Sequence, residues 1–174
     1  MLEKISDNHL SGATELAIRC AKYLKDHPES RPMCEGRLLA QDLGSVDISR
    51  ILIVDGAIST LIDQVDMVLV GADRVSEKWV INKIGTRGLA IMAKESVVPI
   101  YCVCETSKFL PSDLLPFTQK EKPGEEVWER ITENVRVRNF YFEEIPLDSF
   151  TGFITDKRIL EAEDVRRIVA EGWA

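Results

Sequence analysis

Metal-ligating chemistry is scarce in this chain: its 174 residues hold four cysteines and two histidines, with no Cys-x-x-Cys among them. The cysteines are Cys20, Cys34, Cys102 and Cys104, and the histidines are His9 and His27. Cys102 and Cys104 alternate along a strand-like run and are read here as pointing to opposite faces, which would deny one metal both sulfurs. Reduced packing cysteines, no metal and no cofactor are therefore expected. Basic charge is also in deficit, 22 Lys and Arg against 29 Asp and Glu, a formal net charge of -7. Such a surface repels a phosphate-rich polyanion unless its cations are gathered on one face. Arg136, Arg138, Lys157 and Arg158 are too scattered to form that face. Nucleic-acid binding is thereby excluded as the primary task. A single small phosphate is not excluded, since it needs only one or two cations and some backbone N–H groups. Long apolar runs are missing too, none approaching the roughly 20 residues that span a bilayer, and no opening basic-then-apolar signal segment is seen. A cytoplasmic protein without membrane contact is the resulting expectation.

What is present is an ordinary folded balance, 45% hydrophobic and 29% charged residues, of a length that suits one domain over residues 1–174. Ser11 to Lys25 reads as a helix, with Leu16, Ala17, Cys20, Tyr23 and Leu24 recurring at helical intervals behind a Ser11 N-cap. Pro28 and Pro32 interrupt it, and Met33 to Leu43 resumes an amphipathic pattern that Gly44 closes. Arg50 to Val54 predicts a strand, Ile58 to Gln64 a short helix, Met67 to Val70 a strand, Ile84 to Ser96 a helix and Val97 to Val103 a strand. Further on, Glu125 to Asn134 predicts a turn or two of helix, Asn139 to Phe142 and Phe153 to Thr155 strands, and Glu161 to Glu171 a closing helix. Strands alternating with helices imply a three-layer α/β domain around a mostly parallel sheet of four or five strands.

The polar residues then fall where such a sheet builds its sites. The apolar run from Met67 to Val70 delivers Asp73 just past its carboxyl end, and ligands of open parallel sheets gather there. Asp73 can act as a general acid or base, accept hydrogen bonds from hydroxyls, or simply cap a turn. A following loop carries Asn82 and Lys83 immediately before Gly85 and Thr86, at a helix start whose free N–H groups suit an anion. In Glu29-Ser30-Arg31-Pro32 the Arg31 guanidinium can clamp a phosphate or pin a neighbouring loop. Glu105, Thr106 and Lys108 follow another strand and are candidate lining residues of the same crevice.

Taken in order, these blocks resemble the C-terminal domain of the family that unites the alpha, beta and delta subunits of translation initiation factor 2B with methylthioribose-1-phosphate isomerase and ribose-1,5-bisphosphate isomerase. The matching pieces run from Glu29 to Leu43, Ile51 to Ala57, Val65 to Val75, Val80 to Glu95 and Val98 to Phe109, then along the tail from Asn139 to Val169. The resemblance implies a Rossmann-like domain without the family's N-terminal helical domain, and places the isomerases' catalytic aspartate at Asp73 and their substrate-holding pair at Asn82 and Lys83. It also implies contributions to substrate binding from Gly85, Thr86, Arg31 and Glu35. The cysteine used by the isomerases aligns with His9, which makes His9 the second acid/base group if the chain is enzymatic. Glu35 stands where methylthioribose-1-phosphate isomerases often carry glutamine, and the loop Ser76 to Trp79 is one residue shorter than usual.

Two functions follow. The favoured expectation is a non-catalytic, initiation-factor-2B-like domain that works through assembly or by binding a sugar phosphate or nucleotide, the isolated chain turning over neither isomerase substrate. The alternative is an aldose–ketose isomerase of a sugar 1-phosphate. A homodimer is expected, through a helix face carrying Leu89, Ile91 and Met92, and related subunits are a second possible partner class.

Overall fold

The apolar run before Asp73 forms strand β1, Val68–Gly71, beginning one residue later than the pattern suggests. The computed structural model describes residues 51–114 and 116–172. The helices expected from Ser11 and Met33, and the positions of His9, Arg31 and Glu35, lie outside those residues. After β1 come β2 (Arg74–Val75), β3 (Trp79–Lys83), helix α2 (Thr86–Glu95), β4 (Ile100–Val103), β5 (Phe142–Pro146), β6 (Gly152–Ile154), β7 (Ile159–Leu160) and helix α3 (Ala162–Glu171). Ahead of β1, a short helix α1 (Ile58–Leu61) continues as a 3-10 turn over Ile62–Gln64, as expected.

One sheet has the order β1-β4-β6-β7. Its first three strands are parallel, Val68 opposite Ile100 and Cys102 opposite Phe153, and only β7 runs antiparallel to its neighbour. The expected mostly parallel sheet is therefore present. A second, antiparallel sheet of order β2-β3-β5 was not expected. It places Asn82 and Lys83 at the end of a strand, where a loop was read. The hairpin forms because Ser76 closes the turn before β3: its hydroxyl accepts the Trp79 N–H at 2.9 Å, and its own N–H donates to the Trp79 carbonyl at 2.8 Å. Val75, Val80 and Ile145, one from each of its strands, are fully buried. They share a single apolar cluster with Val68, Ile100, Phe153, Val165 and Ile168.

Other expectations give way. Residues 51–54 form no strand, because among the described residues no strand pairs with them: the Val54 carbonyl accepts only the Ala57 N–H of the following turn, at 2.8 Å, and Ile51 stays 83% exposed. β propensity without a ladder does not make a strand. The helix expected from Glu125 reduces to a 3-10 turn at Gly124–Glu126. On the helix face offered for dimerisation, Ile91 is exposed, while Met92 is half-buried and Leu89 is half-buried against the core. The reading of Cys102 and Cys104 as opposed is also wrong. Residues two apart on a strand share a face, and both thiols are buried and free, with Cys102 raised well above its usual value by a hydrogen bond with Cys104 and by burial.

Candidate functional site

The carboxyl ends of β1, β4 and β6 lie side by side because the three strands are parallel and adjacent. Asp73 sits two residues beyond β1. Its N–H donates to the Ile81 carbonyl at 2.8 Å, tying the end of the parallel sheet to the antiparallel one. Continuing the pairing of Arg74 with Ile81 puts Asp73 opposite Asn82. Beyond β4 the chain makes a 3-10 turn at Thr106–Lys108, and beyond β6 comes Asp156.

Asp73 keeps contact with solvent, yet the surrounding atoms desolvate its carboxylate enough to raise its pKa, against the attraction of Lys83 and then Lys108. Burial disfavours the charged form and opposite charges restore it; here burial wins. Lys83 reaches this place from β3, its ammonium 5.0 Å from the centre of the Phe142 ring and 5.8 Å from that of Tyr141. Such contacts with aromatic faces steady a cation without neutralising it.

Asn82, near the end of β3, is tied to Thr86, the first residue of helix α2. The Asn82 Nδ2 donates to the Thr86 hydroxyl at 3.0 Å, and that hydroxyl donates to the Lys83 carbonyl at 2.7 Å. Gly85, the residue before the helix, has φ of 100°, which a side chain would adopt only with strain. The first turn already meets an anion of the protein's own: Glu143, paired with Asn82 across the sheet, accepts the Arg87 N–H at 2.9 Å. A phosphate arriving at this helix end therefore encounters a carboxylate. Glu143 had no signal in the sequence, since only the β3–β5 pairing brings it there. Asp156 was missed although the rule that found Asp73 applies to it, for it too follows the carboxyl end of a parallel strand. It holds the Thr106 N–H at 2.7 Å.

Among the described residues no three His, Cys, Asp or Glu side chains are arranged to hold a metal, and no helix is long and apolar enough to cross a membrane.

The family model described as the Initiation factor 2 subunit family matches residues 27–162. Over 148 residues the chain is 36% identical to a protein named ribose 1,5-bisphosphate isomerase from Archaeoglobus fulgidus, a match covering 82% of this chain and 47% of that protein. Over 155 residues it is 35% identical to a methylthioribose-1-phosphate isomerase from Citrifermentans bemidjiense, covering 82% and 44%. A crystal structure of translation initiation factor eIF-2B, subunit delta, from A. fulgidus is similar with a TM-score of 0.69 and 29% identity, over 80% of this chain and 44% of the other. The chain thus spans about half the length of the curated relatives it matches. The isomerase names correct the expectation of a non-catalytic assembly domain and favour its alternative.

Proposed function

The chain belongs to the Initiation factor 2 subunit family, and from that premise we propose that it serves an aldose–ketose isomerase acting on a sugar 1-phosphate of the ribose 1,5-bisphosphate or methylthioribose 1-phosphate class. The observation that carries this reading is the Asp73 carboxyl at the end of β1, desolvated upward in pKa and faced by Lys83 and Lys108. A phosphoryl group on C1 blocks spontaneous opening of the sugar ring. An acid must hand a proton to the ring oxygen as the C1–O bond breaks. Hydrogen is then moved from C2 to C1, as hydride or through an enediol, while the C2 hydroxyl loses its proton and becomes the ketone. The proton given to the ring oxygen and the one lost from the C2 hydroxyl balance, so no external oxidant is needed.

The two lysines supply a reason for Asp73 to be the acid. In the free protein they partly offset the rise that burial causes in its pKa. A phosphoryl dianion bound between them cancels that influence, leaving desolvation unopposed, so substrate binding itself favours the protonated carboxyl. Asn82 and Thr86, joined to each other and to the Lys83 backbone, keep Lys83 in place. His9, the second proton-handling group inferred from the sequence, lies outside the described residues.

A coupled or NMR assay with both sugar phosphates tests the reading. Turnover is expected with one of them, falling about 100-fold or more in Asp73→Asn, as for loss of a general acid. Lys83→Ala should act chiefly on KM, by about tenfold. Absence of turnover with both substrates, under conditions where the chain is folded, would overturn the proposal.

A further inference from the structure

Lys108 stands in a strap, residues 105–112, that runs from the end of the parallel sheet to the antiparallel one, and a carboxylate pins the strap at each end. At its start, Asp156 Oδ1 accepts the Thr106 N–H at 2.7 Å and Asp156 Oδ2 accepts the Thr106 hydroxyl at 3.3 Å. Toward its end, Glu77 accepts the Ser112 N–H at 3.0 Å and also the Ser112 hydroxyl. Between the two, Lys108 donates its N–H to the Glu105 carbonyl at 3.0 Å, closing the 3-10 turn. Leu110 donates to the Val75 carbonyl at 2.9 Å. Both clamps link segments distant in sequence. Thr106 is only half-buried and Asp156 is exposed, so water can reach the same groups and hydrogen-bonding need alone does not explain a two-point grip there.

We propose that Asp156, seconded by Glu77, is a positioning residue for the Asp73 site, fixing the Thr106–Lys108 turn so that the Lys108 ammonium faces the Asp73 carboxylate. Its value to catalysis rests on the isomerase reading above; the geometric claim does not. A cation held in place before substrate arrives costs less ordering when the phosphate binds. Without the clamp, the turn keeps its backbone bonds but loses the link to the neighbouring strand end, and the lysine samples more of the solvent.

The deciding experiment follows the side-chain carboxyl carbon of Asp73 by NMR through a pH titration of the full chain. Among the described residues two charges act on that carboxyl, Lys83 and Lys108, and Lys83 is left intact throughout. Lys108→Met should raise the Asp73 midpoint, and Asp156→Ala should raise it in the same direction. Asp156→Asn, whose amide oxygen still accepts the Thr106 N–H, should return it close to the original. In the Lys108→Met background Asp156→Ala should add nothing. A midpoint unmoved by Asp156→Ala, or moved as far without Lys108 as with it, overturns the proposal. If Asp156→Ala does not fold, Asp156→Glu, which keeps the charge but displaces the carboxylate by one methylene, takes its place with the same two outcomes. With ribose 1,5-bisphosphate as probe, Asp156→Ala and Lys108→Met should raise KM by similar factors, about tenfold. Should no form turn over, wild type included, the isomerase reading falls while the titration still decides the positioning.

Discussion

In the parallel sheet, β1, β4 and β6 bring Asp73, the Lys108 turn and Asp156 to the same end of the sheet by a rule that needs only strand direction. In the antiparallel sheet, Lys83 comes to act on Asp73 because β3 pairs with β5, a strand lying beyond β4 and a long excursion of the chain. The first arrangement is repeated from strand to strand; the second depends on a single non-local pairing. A site assembled from both is only as well ordered as the contact between the sheets. Here that contact is one continuous apolar cluster with the Asp73–Ile81 hydrogen bond and, through the strap after β4, the Leu110–Val75 hydrogen bond.

The largest effects test whether the two sheets are one unit. Phe153 in β6 and Ile145 in β5 are both fully buried, so Phe153→Ala should cost about 3–5 kcal/mol and Ile145→Ala about 2–5 kcal/mol. Both should unfold in one urea transition, with amide protection in β3 and β4 lost together. If Ile145→Ala frees the β3 amides while those of β4 stay protected, the sheets are separate units, and Lys83 can leave the site without the parallel sheet unfolding.

That difference also explains what the sequence made legible. Apolar runs announced β1, β4 and β6, an alanine-rich stretch announced α2, and helical periodicity announced α3, whose N-terminus is closed by Glu161 and Asp164 in a reciprocal cap. Asp73 followed directly from its strand. The strand β3 went unread because Asn82 and Lys83 resemble loop residues, and β5 was placed too early because Glu143 and Glu144 interrupt its apolar pattern. Strand character there comes from partners across the sheet, Asn82 with Glu143 and Val80 with Ile145, and no local window contains both. The two clamps of the Lys108 strap are hidden for the same reason: each joins residues that only the fold makes neighbours.

A smaller effect lies at the two ends of α2, the helix that leads from the antiparallel sheet back to the parallel one. At its start Gly85 has φ of 100° with open space around it, so Gly85→Ala should destabilise by about 1 kcal/mol. At its end Val98 donates to the Ala93 carbonyl at 2.8 Å and Val97 to Lys94 at 3.2 Å, a closing turn that usually recruits glycine. Val97 adopts φ of 57° there, although it is β-branched. Val97→Gly should therefore stabilise, by about 0.5–1 kcal/mol after the added freedom of the unfolded chain is counted. Urea midpoints moving in opposite directions would confirm that the return to the parallel sheet carries strain. A loss of stability in Val97→Gly would mean that the valine side chain contributes more than its backbone costs.

The smallest effect concerns Asp73 itself. Its folded pKa is raised above the unfolded value, burial outweighing Lys83 and Lys108, so within that window the native state holds a proton that the unfolded chain has released. The sign follows. The carboxyl costs no stability below the unfolded pKa, and stability falls as pH rises through the window until the folded group is ionised as well. Asp73→Asn removes the ionisation, so its Tm should match that of the parent at the acid end and exceed it above the window, by a modest amount because the side chain still meets solvent. Combining it with Lys83→Ala sharpens the contrast between the sheets. Removing the cation supplied by β3 leaves desolvation less opposed, so the benefit of Asp73→Asn should grow when Lys83 is gone. A Tm difference independent of pH would mean that the surroundings of Asp73 do not disfavour the charged carboxylate. The argument that phosphate binding protonates Asp73 would then lose its physical basis, whatever the turnover of the chain.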